Sequence, residues 1–186
     1  MIRVSVLAAA LAIAATPALA VTQWVAQPDP HAISWEGTQG GNALAGHCEK
    51  FTADIAFDPA ALATSAVKVT IDTSACKTGD EQKDEYLPQQ GWFNVSAFPN
   101  AIFEARSFRH EGGDKYVADG TLTLKGVTKK VELPFTLKIE GDTAHVVGET
   151  SLQRLAFGVG DGPQLSSPDV AGLDVKVKID LSATKK

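Results

Sequence analysis

The chain has 186 residues, 17 basic and 22 acidic side chains, a formal charge of −5 and a hydrophobic fraction of 44%. This balance excludes nucleic acid and anionic membrane surfaces as partners, because both demand a concentrated positive face. It leaves enough apolar material for one buried core, and no repeat of solenoid length or composition break suggests a second domain.

Residues 1–20 read as a cleavable export signal. Arg3 supplies the positive start, Val4 to Ala15 the apolar run, and Ala18-Leu19-Ala20 the small-residue cleavage site. An uncharged run of about 12 residues is too short to cross a bilayer. The expected domain is therefore residues 21–186, a periplasmic product with 16 bases against 22 acids. No later stretch is apolar for long enough to span, so no stable membrane insertion is expected.

Short strands are expected at Thr22 to Val25 and His31 to Trp35, split by Pro28-Asp29-Pro30. In Ala43 to Phe57, the residues Phe51, Ala53, Ile55 and Phe57 share one face. Cys48 is out of phase with them, which places a bulge between Cys48 and Phe51. Val67, Val69 and Ile71 mark the next strand. Residue numbers sum to 124 for Cys48/Cys76, Phe57/Val67 and Ile55/Val69, so a hairpin centred near Leu62 sets the two cysteines opposite each other. In an exported chain this pair reads as a structural disulfide, with free thiols or a redox or metal role as the alternatives.

Thr78-Gly-Asp-Glu81 has the form of a capping box opening a short helix that Pro88 stops. Leu87, Trp92 and Phe93 follow in an otherwise polar insertion, read as a lid over one barrel end. Sheet resumes at Ile102 to Arg109. Tyr116 to Leu124 and Lys129 to Ile139 then alternate apolar and polar residues with period two, and the parity flips across Gly126-Val127. A two-residue loop there with glycine first suits a type II′ turn and sets Leu122 opposite Val131 and Ala118 opposite Phe135. Ala144 to Arg154 turns Ala144, Val146, Gly148, Thr150 and Leu152 inward. A Gly/Pro/Ser-rich connection, residues 158–168, precedes a last strand in which Leu173, Val175, Val177, Ile179 and Leu181 alternate.

The fold class is thus all-β, a lipocalin-like antiparallel barrel of about eight strands with one short helix in a lid insertion, since closure removes exposed edges. The inward apolar set is Phe51, Ile55, Phe57, Val69, Ile71, Phe103, Leu122, Leu124, Val131, Phe135, Leu137 and Leu152. By pattern alone these residues suit a solid core as well as a ligand sleeve. Small inward residues (Ala53, Ala118, Gly120, Ala144, Gly148) favour unfilled volume. Parity also turns Arg154 inward near the mouth, either in an ion pair with Asp84 or Asp161 or as a donor to a ligand head. His31, His47, His110 and His145 show no metal-site spacing, and no catalytic motif is evident.

Across the mature chain the sequence resembles the YceI-like family of exported lipid-binding proteins. The resemblance rests on Trp35, Gly46, Phe51, Val69-Thr-Ile-Asp72, Thr78-Gly-Asp80, Lys83-Asp-Glu-Tyr-Leu87, Trp92-Phe-Asn-Val95 and Phe98-Pro99. It continues through Phe103, Gly120-Thr-Leu-Thr-Leu-Lys-Gly-Val-Thr-Lys129, Arg154 and Phe157-Gly-Val-Gly160. It implies a long apolar cavity that takes a polyisoprenoid lipid or isoprenoid quinone, with no required cofactor and no metal. Leu87, Trp92, Phe93 and Arg154 then complete the lipid site at the mouth, and a homodimer is left open. Asn94, Lys83, Cys48 and Leu165-Ser-Ser-Pro168 depart from the family pattern near the lid, so head-group identity does not carry over. The rival readings are an enzyme acting on a hydrophobic substrate and a packed interaction module of a membrane electron-transfer or stress system.

Overall fold

The computed structural model describes residues 21–186, and the export signal read at residues 1–20 lies outside the described residues. Eleven strand segments form one antiparallel sheet. They are β1 (Gln23–Ala26), β2 (Ile33–Gln39), β3 (Asn42–Cys48), β4 (Phe51–Ala56), β5 (Ala66–Asp72) and β6 (Cys76–Lys77). They continue with β7 (Asn100–Gly112), β8 (Lys115–Leu124), β9 (Val127–Glu140), β10 (Thr143–Gln153) and β11 (Asp174–Lys185), and one helix, α1 (Glu81–Tyr86), precedes β7.

The sheet closes because β1 pairs with both β4 and β11. Three barrel strands are each interrupted once: β1 continues as β2, β3 as β4, and β5 as β6. Eleven segments therefore make an eight-stranded up-and-down barrel. Pro28 and Pro30 interrupt the first, since proline offers no N–H to a ladder. Glu49-Lys50 interrupts the second, at the expected bulge. A short 3-10 turn at Thr73–Ala75, capped by Asp72 accepting from the Ser74 N–H, interrupts the third.

That turn corrects one expected register. Ile55 faces Val67 and Ala53 faces Val69, a slip of two residues from the expected pairing, whereas Cys48 does face Cys76. The turn adds two residues on the β5–β6 side, between the Lys50/Asp72 contact and the Glu49/Ala75 contact. The opening of the β8–β9 hairpin is corrected likewise. Leu124 pairs with Val127, so the loop is Lys125-Gly126, with φ of 50° and 76°. Two positive φ values make a type I′ turn. Gly120 therefore faces Val131, and Tyr116 rather than Ala118 faces Phe135, while inward parity is unchanged. The helix N-cap is Asp80, not Thr78, and its side chain accepts from the Lys83 N–H at 3.2 Å.

The barrel is packed at one end and hollow toward the other. Trp24, Phe57, Tyr116, Leu137, Ala144 and Ala183 form a buried cluster, with Phe108 and Phe135 against it. Phe57 meets Phe108, Tyr116 and Phe135 edge-on at 5.1, 5.8 and 6.0 Å between ring centroids. Such edge-to-face contacts add to the burial of large aromatic area. The Trp24 Nε1–H donates to the Phe57 carbonyl at 2.9 Å, so even this end's indole nitrogen is satisfied.

Candidate functional site: a covered apolar cavity

The inward faces line a cavity of about 530 Å³ that reaches down to that plug. Its volume lies within the range of sites for small hydrophobic molecules. The wall is built by period-two alternation, because every second side chain of each strand points to the barrel axis. The outer positions carry the charges, as in the Lys68–Glu104 and Lys176–Glu149 pairs at 3.2 and 3.4 Å.

All twelve sequence-derived sleeve residues reach the cavity. Phe51, Val69, Ile71, Phe103, Leu122, Leu124, Val131 and Leu152 line its hollow part. Ile55, Phe57, Phe135 and Leu137 also line it but belong to the plug, or pack against it, and form the floor. Gly120 and Gly148 do not widen the space as expected. A Cβ at Gly120 would lie 2.9 Å from the Phe103 ring, and one at Gly148 would lie 3.0 Å from the Phe135 Cβ. Gly120 seats the Phe103 ring, and Gly148 admits the close approach of the β9 chain at Pro134 and Phe135.

Two irregular segments cover the mouth. The first is α1 with the residues after it, where Leu87, Trp92 and Phe93 turn toward the cavity. Thr73 holds its far end by donating from N and Oγ1 to the Pro99 carbonyl, both at 2.9 Å. The second is the loop of residues 154–172. The two are joined where the Gly160 N–H donates to the Gly91 carbonyl at 2.8 Å. Lys125 strengthens the junction, its Nζ donating to the Gly158 carbonyl at 2.6 Å. Burial pushes the Lys125 ammonium below its ordinary range, against a smaller opposing pull from Asp161.

Arg154 is buried, but it has neither of the expected roles. Its Nε donates to the Gly172 carbonyl, one terminal nitrogen to Val159 and Gly160, and the other to Leu165 and Ala171, at 2.7–3.0 Å. A guanidinium has five N–H groups, and all five end on backbone carbonyls. No N–H is left for a ligand head, and neither Asp84 nor Asp161 comes within ion-pair distance, although the Asp161 charge still acts on the guanidinium. Asp84 instead accepts from the Thr78 N–H at 2.6 Å and its Oγ1 at 2.7 Å. Burial pushes Arg154 down from its ordinary range, against a smaller opposing pull from Asp161. Arg154 positions the cover; it is not a polar anchor.

Cys48 and Cys76 are joined in a disulfide beside the cavity, which fixes β3 to the two-residue β6. Sequence reasoning missed the β2–β11 side of the wall: Ile33, Trp35, Val175, Val177 and Ile179. The alternation in β11 was visible and marks those side chains as inward. The three inward positions of β2, Ile33, Trp35 and Gly37, are too few and too mixed to signal a face. His47 points outward and lies 3.7 Å from Glu49, and His145 pairs with Asp180 at 2.7 Å on the exterior. Among the described residues no group of three or more potential metal ligands is gathered. Among them, too, no helix is long and apolar enough to cross a membrane.

A closed eight-stranded barrel with a covered, almost wholly apolar interior defines a lipocalin-like class of protein. The YceI-like domain pattern matches residues 24–183, and the chain belongs to that family. It is 35% identical over 136 residues to the UPF0312 protein of Photorhabdus laumondii, spanning 72% of this chain and 70% of that one. It is 36% identical over 103 residues to the Protein YceI of Salmonella arizonae, a stretch spanning 55% of this chain and 53% of the relative. Among solved structures, Burkholderia cenocepacia BcnA superposes with a TM-score of 0.78 at 31% identity, covering 82% of this chain and 95% of that one. A polyisoprenoid binding domain from Saccharophagus degradans superposes at 0.69 with 10% identity, covering 88% and 98%, a likeness of fold.

Proposed function

We propose that this protein is a non-catalytic, exported carrier or reservoir that shields a polyisoprenoid lipid or isoprenoid quinone in its barrel, in the periplasm. The observation that carries the proposal is the covered apolar cavity of about 530 Å³, closed at one end by an aromatic plug. Each methylene moved from water into such a wall gains about 0.8 kcal/mol. Immobilising the chain offsets much of that gain, so shape-matched burial of a long tail holds it without a charged anchor. The fold shared with the Saccharophagus degradans polyisoprenoid binding domain supports a branched, unsaturated tail as the occupant.

Catalysis on a hydrophobic substrate requires a polar constellation inside the sleeve. Of the polar inward residues, Arg154 is committed to the cover and Tyr116 is packed in the plug. A solidly packed interaction module is disfavoured by the hollow itself.

The test is to purify the protein after export in a bacterial host, extract it with organic solvent and analyse the extract by mass spectrometry. A prenyl lipid or quinone in stoichiometric yield, rebound by the delipidated protein, is expected. Repeated preparations that yield no prenyl lipid and bind none when it is supplied would overturn the proposal.

A further inference from the structure

Two large side chains that line the cavity at its mouth are nevertheless exposed: Tyr86, which ends α1, at 57%, and Val170 of the 154–172 loop, at 39%. A third, Ile139, lies at the floor end, where its strand faces Ala144 of the plug. The hydrogen bonds of the cover account for the exposure at the mouth. The insertion of residues 78–99 is tied to the loop through Gly91 and Gly160, and its Phe98 ring lies on Gly126 of the β8–β9 turn. The loop is tied in turn to the β2–β3 hairpin. There the Gly40 N–H donates to the Val170 carbonyl at 3.2 Å, and the Gly172 N–H to the Thr38 carbonyl at 2.9 Å. The remaining seam is open: among the described residues no backbone hydrogen bond joins residues 38–46 to residues 78–99.

The seam is open because the barrel wall is incomplete there. Strand β3 pairs with β2 along its length but with β6 only at His47 and Cys48, since β6 stops at Lys77. Gly79, at a φ of 80°, turns the chain out of the sheet and into α1. The edge of β3 from Asn42 to Ala45 therefore has no strand beside it, and Ala43 and Ala45 are exposed. This gap borders the cavity, because Leu44 on one side and Tyr86 and Leu87 on the other line it. We propose that the slot between the β3 edge and α1 is the portal through which the apolar ligand enters and leaves, and that its tail crosses Tyr86 and Val170 first. A tail passing there meets apolar surface and breaks no backbone hydrogen bond of the cover. Passage at the Gly91–Gly160 seam would instead break such a bond and strand buried polar groups.

The inference rests on the hydrophobic-ligand reading above, and the experiment separates the two. Cys48 and Cys76 are joined to each other, so a maleimide reaches only the new thiol in Tyr86→Cys, Val170→Cys or Gln90→Cys. Gln90 is also exposed but borders the Gly91–Gly160 seam, and it serves as the control. Each delipidated variant, with and without a polyethylene glycol maleimide adduct, is mixed with retinol, an isoprenoid alcohol whose fluorescence reports burial. Adducts at positions 86 and 170 are expected to slow association and release together, each about tenfold, because an obstructed passage changes rates and not end states. The dissociation constant should stay within about twofold for the same reason. The adduct at position 90 alters neither rate. Comparing labelled with unlabelled protein of the same variant removes any effect of the substitution on folding. Unslowed exchange with adducts at positions 86 and 170, or equal slowing from position 90, overturns this inference alone. If neither retinol nor farnesol binds the unlabelled wild-type protein, the hydrophobic-ligand reading falls and this inference with it.

Discussion

Arg154 shows how one side chain organises a whole irregular loop. The carbonyls it gathers belong to Val159, Gly160, Leu165, Ala171 and Gly172, which no ladder or helix would otherwise order around one point. Removing the guanidinium strands buried acceptors, and each unsatisfied buried group costs about 1–3 kcal/mol unless water reaches it. Arg154→Ala is therefore expected to destabilise by about 3 kcal/mol or more, read as a lowered denaturation midpoint. Arg154→Lys keeps the charge but offers three donors where five are used, so it should fall between the two. Unchanged stability in both variants would refute the positioning role. The inward direction of Arg154 was legible from strand parity. Its partners were not, because they are backbone atoms of a connection with no periodic pattern. Gly46 makes a parallel case: Ala there must displace the Trp35 ring and the Lys77 carbonyl, 2.6 Å from the new Cβ. A loss of about 1–3 kcal/mol is expected from such overpacking, with a shifted Trp35 fluorescence as the companion signal.

At the level of elements, the weakest joint is β6, a strand of two residues paired only with β3. The disulfide joins these two strands across a sequence separation of 28, and closing a loop of that length contributes about 3 kcal/mol on the chain-entropy view. Reduction should lower the denaturation midpoint accordingly and release α1, which follows β6 directly. Helix α1 itself depends on carboxylates at its start. Bonding to the Lys83 side chain holds the Asp80 carboxyl below its ordinary value. For Asp84 burial pushes upward, but the Thr78 N–H and hydroxyl outweigh it and leave the carboxyl lowered. A lowered folded value means stabilisation that is complete above the unfolded value of about 3.9 and lost as pH falls through the folded one. Asp84→Asn should thus be less stable than wild type at pH 6, with the gap closing well below about pH 4. A gap independent of pH would remove the charge from the account.

The elements themselves were legible wherever alternation ran long, as in β8 to β11. Registers were less so, since a slip of two preserves parity and leaves the pattern unchanged. The hairpin loop falls on Lys125-Gly126 because Lys125, at a φ costly for a side-chain residue, is repaid by its bond to the Gly158 carbonyl. That bond is tertiary and has no local signature in the sequence.

For the molecule as a whole, the sequence could not distinguish a hollow from a filled barrel, since both use Val, Leu, Ile and Phe on inward positions. The distinction lies in how far opposite walls stand apart. Leu137, in the aromatic plug, retains 6% exposure, whereas the equally inward Leu122 and Leu152 remain only half-buried because they border empty space. The two halves should therefore respond oppositely to added volume. Leu137→Trp has no room and should cost about 1–3 kcal/mol through displaced neighbours. Leu152→Trp projects into the cavity and should leave stability within about 1 kcal/mol of wild type, because the new ring meets a void. It should nevertheless cut the amount of lipid recovered per mole of protein, since the ring occupies volume that the tail would otherwise fill. Denaturation midpoints and extracted lipid, measured on the same preparations, decide the matter. If Leu152→Trp is as destabilising as Leu137→Trp, the walls already touch and the hollow is not there to be filled.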